Sequence, residues 1–296
     1  MAATKRSLTI AVDGGGIKGI GPLLYMTKIE QYTGKKISDL AVGFSGTSTG
    51  AIIVALLNEG YSAHDVYELY KTKAKDIFNP QPWYKKIIPN YPKYDNKKYV
   101  KLLKEKLKGN MSDFNKAIFI PACCTDSLNP EKIFDRNDVD VPKWLAVQAS
   151  SAAPTYFEPA GKRFNYIDGG LFFNNPAAVL QAGMMNTKYK DKIKILSFGT
   201  GMKNPNDKST GNKNLLGWAS YLMDEWMVKS GESSTYIAKK NIGDANVMRL
   251  IPTTGKKFKL DKVDQMAEIE AVWEDYFNQT WDSVKEFLKW NCLSNI

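Results

Sequence analysis

The architecture follows from one stretch of the sequence, Leu40-Ala-Val-Gly-Phe-Ser-Gly-Thr-Ser-Thr-Gly-Ala-Ile-Ile-Val-Ala-Leu-Leu57. An apolar run typical of a buried strand, Leu40–Phe44, leads through a G-x-S-x-G turn into an apolar helix. In such a tight turn Gly46 and Gly50 let the chain pass without clash, and the serine between them adopts a strained backbone geometry. The Ser48 hydroxyl would lie over the helix N-terminus, where a developing negative charge is stabilised. Ser48 is therefore a candidate nucleophile.

A glycine-rich loop, Asp13-Gly-Gly-Gly-Ile-Lys-Gly19, follows the first strand-like run, Leu8–Val12. Its glycines leave backbone N–H groups bare, so the loop can cradle an anion. That anion is either a bound phosphate or, if the loop lies beside Ser48, the oxyanion of an acyl-transfer intermediate. Because adjacent parallel strands end at the same edge of a sheet, we expect the loop to lie close to the G-x-S-x-G turn, which we call the elbow.

A third motif, Asp168-Gly-Gly170, follows another strand-like run, and its aspartate could accept the Ser48 proton. Alone, this triplet is a weak signal, because Asp-Gly-Gly is more often an ordinary turn. The assignment of Asp168 as a base is supported by the position of the only histidine. His64 is predicted in the first turn of a helix that is capped by Ser62 and leads away from the elbow. Elbow hydrolases with a Ser-His-Asp triad place the histidine last in the chain, after the acid. A serine hydrolase built on this sequence must therefore use a carboxylate as its base.

Strand-like and helix-like runs alternate along the whole chain, which predicts an α/β fold with a mainly parallel central sheet and helices on both faces. There is no internal repeat and no Gly/Ser linker. We therefore expect a single domain over residues 1–296, with a catalytic core at about 8–200 and a C-terminal helical part at about 215–296.

Composition excludes several classes of protein. The hydrophobic fraction of 43% excludes a disordered chain, and three cysteines are too few, and odd in number, for a disulfide scaffold. There is no apolar run long enough to span a membrane and no signal-peptide pattern. We therefore expect a cytoplasmic protein in which Cys123, Cys124 and Cys292 are thiols.

The net charge of +10 favours an anionic partner, although lysines spread over solvated faces would give the same total. The densest basic run, Lys97–Lys108, is predicted to form an amphipathic helix. The proline-rich segment 79–95 is predicted to be a long loop or lid, in which Trp83 and Tyr84 are candidates for contact with lipid. These features predict peripheral binding to a phospholipid surface. Nothing in the sequence resembles a module that binds nucleic acid.

Together, the three motifs resemble the patatin-like phospholipases, serine lipid acyl hydrolases with a Ser-Asp dyad. The flanking segments agree, since Ala149–Phe157 is similar to the family's stretch before the dyad aspartate and Asn174–Ala177 to the stretch after it. The resemblance extends over about residues 8–200 and implies the family's three-layer fold. It implies that Ser48 is the nucleophile and Asp168 the general base.

The resemblance also implies roles for the residues around the dyad. The backbone N–H groups of Gly14, Gly15 and Gly16 would form the oxyanion hole, and Lys18 and Gly19 would support their loop. The remaining family positions are the glycines that flank Ser48 and those that follow Asp168: Gly46, Gly50, Gly169 and Gly170. The family usually has arginine where this chain has Lys18, and lysine cannot copy the planar fork of donors that arginine offers.

The implied function is phospholipase A-type hydrolysis of ester bonds in membrane phospholipids through an acyl-enzyme, without a cofactor or a metal. Soluble bacterial members of the family include effectors switched on by cyclic nucleotides. The resemblance therefore permits a small-molecule activator of that kind, and also a homodimer.

Two alternatives would use the same residues: a non-catalytic module that binds anions or lipids, and an acyltransferase with the same dyad. A dinucleotide-binding oxidoreductase is disfavoured, although Gly14-x-Gly16-x-x-Gly19 satisfies its glycine pattern. That class needs an acidic residue at the end of the second strand to hold the ribose. The second strand here ends in Phe44-Ser-Gly-Thr-Ser48, which has no carboxylate.

Overall fold

The computed structural model describes residues 6–85, 91–161, 165–190, 192–203, 218, 221 and 227–292. Its strands are β1 (Ser7–Val12), β2 (Ala41–Gly46), β3 (Ala117–Cys124), β4 (Glu131–Phe134), β5 (Tyr166–Asp168), β6 (Ile193–Phe198), β7 (Met202–Lys203), β8 (Val247–Leu250) and β9 (Thr253–Thr254). Its helices are α1 (Ile20–Thr33), α2 (Ile37–Leu40), α3 (Thr49–Asn58), α4 (Ala63–Ile77), α5 (Lys97–Lys106), α6 (Lys143–Ser150), α7 (Gly170–Phe173), α8 (Ala177–Met184), α9 (Met227–Ile242) and α10 (Met266–Cys292).

The central sheet has the strand order β4-β3-β2-β1-β6-β8. All neighbours from β3 to β8 are parallel, while β4 and β5 pair antiparallel with β3. β7 and β9 form a separate two-stranded sheet. The predicted α/β class with a mainly parallel sheet is confirmed.

The sheet is covered on both faces, as its uninterrupted apolar strands require. Along β1, Leu8, Ile10 and Val12 join one hydrophobic cluster, whereas Ala11 joins a second cluster that also contains Leu180 of α8. Because successive side chains of a strand point to opposite faces, this division separates two helical layers. The predicted three-layer arrangement is confirmed.

The register of β3 brings two motifs together. Its first part pairs with β2, with Ser45 opposite Phe119. Its last part pairs with β5, which runs in the opposite direction, with Asp168 opposite Ala122. The ends of β2 and β5 therefore approach each other along β3.

The C-terminal helix packs on the catalytic core. Trp273 of α10 is buried in the same cluster as Leu8 and Ile10 of β1. A side chain at Gly21 of α1 would collide with the Trp273 ring, so the two helices approach closely only because that position is glycine. This shared core supports our proposal of a single domain. Of the predicted helix from about Leu215, the structure describes residues 218 and 221 as helical and then the whole stretch from Met227, while the segment 204–214 lies outside the described residues.

The proline-rich segment 79–95 is anchored at its base. The Gln81 N–H donates to the Lys93 carbonyl at 3.1 Å. The Tyr94 hydroxyl donates to Asp261 Oδ2 at 2.7 Å, and Lys93 forms an ion pair with the same carboxylate. Tyr84 is exposed, whereas residues 86–90 and the Trp83 side chain lie outside the described part of the chain.

None of the helices in the described residues is both long enough and apolar enough to cross a membrane.

Candidate active site

The elbow holds Ser48 in an unusual backbone conformation. Ser48 follows β2 at the start of α3, with φ 55° and ψ −119°. A Cβ at Gly46 would collide with the Gly50 carbonyl, and a Cβ at Gly50 would collide with the Val12 carbonyl. Both flanking positions therefore require glycine. The turn leaves the Ser48 side chain partly exposed in the wall of a cavity.

Asp168 lies at the end of β5 within reach of Ser48. The Gly170 N–H donates to the carboxylate at 2.8 Å. Burial raises the pKa of Asp168 to about 6, while hydrogen bonding from the nearby Ser48 hydroxyl and from the Gly170 N–H acts to lower it. A Cβ at Gly169 would collide with the Pro121 carbonyl of β3, so this glycine lets β5 approach β3 at the point where Asp168 is held. The arrangement gives a carboxylate that is a stronger base than an exposed aspartate.

The end of α6 ties the two motifs together. The Ser48 N–H donates to Ser150 Oγ at 3.0 Å, and the Gly169 N–H donates to the Ser150 carbonyl at 3.2 Å. The Asp168 N–H donates to the Ala152 carbonyl at 3.0 Å. The sequence marked this stretch only as a flanking segment. Its bridging role was missed because Ser150 contacts residues far away in the chain.

The glycine-rich loop lies beside Ser48, and the structure corrects one of its predicted donors. The Gly14 N–H donates to the Asn174 carbonyl at 3.0 Å, so it is not available to an oxyanion. Within the described residues, the N–H groups of Gly15 and Gly16 make no hydrogen bond, and both residues line the cavity with Ser48. The Thr200 hydroxyl, in the turn after β6, donates to the Gly14 carbonyl at 2.9 Å and holds the loop in place.

Lys18 and Gly19 lie in the 3-10 turn that closes this loop. Lys18 is only 4% exposed, and its charge acts to lower the pKa of Asp13. A Cβ at Gly19 would meet the Thr49 side chain, so glycine allows the loop to pack on the first turn of α3. Both contacts suit a supporting role for the loop.

A buried ion pair that the sequence did not reveal anchors the start of the loop. Arg249 of β8 donates from Nη1 and Nη2 to the two oxygens of Asp13 at 2.8 and 2.5 Å. It also donates to Glu232 at 2.8 Å and to Ser197 Oγ at 2.9 Å. Burial raises the pKa of Asp13 to about 6, although Arg249 opposes this shift. The one signal that could have found the network is an arginine inside an apolar strand of a chain rich in lysine.

We expect Arg249→Ala to lower the free energy of unfolding by about 3–5 kcal/mol, because it leaves the Asp13 carboxylate buried without a partner. Urea denaturation measures the loss. Arg136→Ala, at an exposed position, is the matched control and should change stability by less than about 0.5 kcal/mol. Equal stabilities of the two variants would contradict the anchoring role.

A narrow cavity of about 60 Å³ lies over Ser48. Its wall beyond the polar residues is aromatic and aliphatic: Ile52, Ile77, Phe78, Tyr99, Tyr156 and Phe157. The Tyr99 hydroxyl is bonded to Ser151 Oγ at 2.6 Å, and the Tyr70 hydroxyl to the Thr49 hydroxyl. With these hydroxyls satisfied by the protein, the cavity presents apolar surface that suits a hydrocarbon chain.

His64 lies where the sequence predicts. It is exposed in the first turn of α4, which Ser62 caps by accepting the Asp65 N–H at 3.0 Å. The imidazole stacks on Tyr67, with the ring centroids 6.3 Å apart. His64 is therefore placed as a surface residue.

His64→Ala should retain most ester hydrolysis, since a triad histidine would have to hydrogen-bond Ser48 directly, at about 2.6–3.2 Å between heavy atoms. The rate with a soluble ester is the measurement, and circular dichroism is the control for folding. A folded His64→Ala protein without activity would return a triad to consideration.

Cys123 and Cys124 are buried thiols at the end of β3. The Cys123 thiol donates to the Asp168 carbonyl at 3.2 Å, and burial raises its pKa to about 12, so it is a packing residue and not a nucleophile. The Cys292 side chain lies outside what the structure describes. In the described ranges, no cluster of three or more His, Cys, Asp or Glu side chains could hold a metal ion.

Comparison with known proteins gives consistent matches. A family model described as patatin-like phospholipase matches residues 10–180. An intracellular phospholipase A2 of Caenorhabditis elegans is 27% identical over 219 residues, which cover 65% of this chain and 19% of that protein. Patatin-like protein 2 of Arabidopsis thaliana is 28% identical over 261 residues, 71% of this chain and 63% of that protein. The chain thus spans less than two thirds of the length of either relative. The crystal structure of VipD from Legionella pneumophila aligns with 94% of this chain and 67% of its own, at 13% identity and a TM-score of 0.46.

Proposed function

The chain belongs to the patatin-like phospholipase family, and from this premise we propose that it is a lipid acyl hydrolase of the phospholipase A type, cleaving ester bonds of membrane phospholipids. The observation that carries the proposal is the placement of the Ser48 hydroxyl beside the buried Asp168 carboxylate, where both residues line one apolar cavity. The names of the relatives, which include phospholipases A2, support the same reaction class.

In the proposed first half-reaction, Asp168 takes the proton of Ser48 as Oγ attacks the ester carbonyl carbon. The carbonyl oxygen becomes an oxyanion, which the N–H groups of Gly15 and Gly16 stabilise. The C–O bond to the alcohol then breaks, and Asp168 returns the proton to the leaving lysophospholipid oxygen. The product is an acyl ester on Ser48.

In the second half-reaction, water attacks the acyl ester and Asp168 accepts its proton. The tetrahedral intermediate collapses to release the fatty acid, and the proton returns to Ser48. One carboxylate thus acts as base and acid in turn. Its pKa of about 6 suits this work, because a catalytic base is most effective when its pKa lies near the operating pH.

Two features of the fold support the assignment of the acyl chain to the cavity. The wall formed by Phe78, Tyr156 and Phe157 is apolar, and Tyr94 packs edge-on against Phe78 from the base of the segment 79–95. An activator such as a cyclic nucleotide and a homodimer remain predictions that rest on the family resemblance alone.

The test is incubation with mixed phospholipid vesicles and identification of the products. We expect free fatty acid and lysophospholipid from the unaltered protein and neither from a Ser48→Ala control. Transfer of the acyl group to an added alcohol without free fatty acid would indicate an acyltransferase. Absence of both reactions would contradict the proposed function and leave a lipid-binding module.

A further inference from the structure

A stripe of lysines runs along the outer face of α5. Lys97, Lys101, Lys104 and Lys108 are spaced by four, three and four residues, so they follow one side of the helix and its C-terminal extension. All four are exposed. We call these four residues the lysine stripe.

The carboxylates near the lysine stripe do not neutralise it. Lys101 makes a 3.9 Å contact with Glu105, while the other three lysines form no ion pair within the described ranges. The lysine stripe borders a groove between α5 and α6, and among the described residues that line this groove Glu158 is the only further acidic side chain. The groove therefore carries an excess of positive charge.

The opposite wall of the groove is formed by α6 and is partly apolar. Trp144 and Leu145 are half-buried there, and the Lys104 ammonium lies 4.4 Å from the centre of a Trp144 ring. Tryptophan with an apolar body and a polar N–H is favoured at the boundary between headgroups and hydrocarbon. Basic side chains beside such a residue match an anionic lipid surface in both charge and polarity.

The inner faces of the same two helices belong to the catalytic cavity. Tyr99 of α5 lines the cavity and is bonded to Ser151 at the end of α6. The neighbouring Ser150 accepts the Ser48 N–H. The two helices that border the groove therefore also supply part of the cavity wall, through Tyr99 and Ser151.

We propose that the α5–α6 groove is the surface that docks this protein on anionic phospholipid bilayers. The lysine stripe pairs with lipid phosphates and carboxylates, and Trp144 lies at the headgroup level. The inference rests on the proposed function, because a hydrolase of membrane phospholipids has to bind the bilayer that holds its substrate.

The test measures vesicle co-sedimentation in a Ser48→Ala background, so that binding does not depend on hydrolysis. Vesicles of phosphatidylcholine alone are compared with equimolar phosphatidylcholine and phosphatidylserine. Changing the four lysines of the stripe to glutamine should weaken binding to the anionic vesicles at least about tenfold, because each basic side chain near such a surface adds to the attraction. Changing the same four to arginine should preserve it.

The matched control removes the same charge elsewhere, by glutamine at four exposed lysines outside the groove: Lys35, Lys188, Lys190 and Lys240. Lysines further than a Debye length from the bilayer are screened, so this control should weaken binding by less than about threefold. Circular dichroism verifies that each variant is folded. Equal binding by the stripe variant and its parent, or an equal loss in the control, would overturn the docking proposal. Because the proposed function is tested by Ser48-dependent product release, the two proposals can fail separately.

Discussion

Replacing Ser48 by alanine is expected to abolish ester hydrolysis while the chain remains folded. The Ser48 hydroxyl lies beside the Asp168 carboxylate and lines the same cavity as Gly15 and Gly16 of the glycine-rich loop. Without it, no acyl-enzyme forms, and the rate should fall by about 10⁴-fold or more, as when other serine hydrolases lose their nucleophile. The measurement is the initial rate with a soluble ester.

Ser48→Gly distinguishes the effect of losing the hydroxyl from the effect of relieving backbone strain. Ser48 has a positive φ of 55°, where a residue with a Cβ is strained and glycine is not. The glycine variant should therefore be as inactive as Ser48→Ala but melt at an equal or higher temperature. Ser233→Ala, which removes an exposed hydroxyl on α9, should leave the rate unaltered. Hydrolysis by Ser48→Ala at the original rate would contradict its role as nucleophile.

Asp168→Asn should lower hydrolysis by a factor of about 10² or more, because the amide cannot accept the proton of Ser48. Asparagine keeps the shape of the side chain, and its carbonyl oxygen can still accept the Gly170 N–H. The loss should therefore lie in kcat and not in folding. An active Asp168→Asn protein would exclude Asp168 as the base.

The same substitution should stabilise the protein at neutral pH. The pKa of Asp168 is about 6 in the folded protein against 3.8 for the ordinary group, so between these values the folded state binds the extra proton. Stability then falls as pH rises through this window, and the ionised carboxylate costs on the order of 3 kcal/mol above it. Asp168→Asn removes this cost and should raise the melting temperature at pH 7.

Asp261→Asn is a control for which the melting temperature should change in the opposite direction. Burial alone would raise the pKa of Asp261, but its hydrogen bonds with Lys93 and Tyr94 outweigh burial and hold the pKa below its usual value. Its carboxylate therefore stabilises the fold at neutral pH, and Asp261→Asn should lower the melting temperature. Equal shifts in the two variants would contradict the assigned environments.

The pH profile follows from the same pKa. The base must be ionised, so kcat/KM for a soluble ester should decline as pH falls below about 6. Burial also raises the pKa of Asp13 to about 6, and its protonation would weaken the pair with Arg249 under the loop. Because Asp168→Asn has no carboxylate at position 168, the pH dependence of its residual activity reports the titration of Asp13 alone.

The elbow and the alternation of strands and helices could be predicted because their signals are local. Glycines on both sides of Ser48 and the apolar runs around them are encoded within less than twenty consecutive residues. The exclusion of a histidine triad needed only the position of the single histidine. The exposed place of His64 in α4 agrees with that argument.

The parts that escaped sequence analysis depend on contacts between distant residues. Arg249 and Asp13 are 236 positions apart, and no spacing rule joins them. Gly14 was expected to serve an oxyanion, but whether a backbone N–H is free depends on which carbonyl folds against it, here that of Asn174. Ser150 was passed over for the same reason, since its bond to the Ser48 N–H exists only once α6 packs beside α3.

Activation of Ser48 by Asp168 can be measured as the rate and position of labelling with a fluorophosphonate. We expect rapid formation of a single adduct on Ser48, located by mass spectrometry of peptides. The adduct should form far more slowly in Asp168→Asn, at the original rate in His64→Ala, and not at all in Ser48→Ala. An adduct on another residue, or labelling of Asp168→Asn at the original rate, would contradict the Ser48–Asp168 dyad.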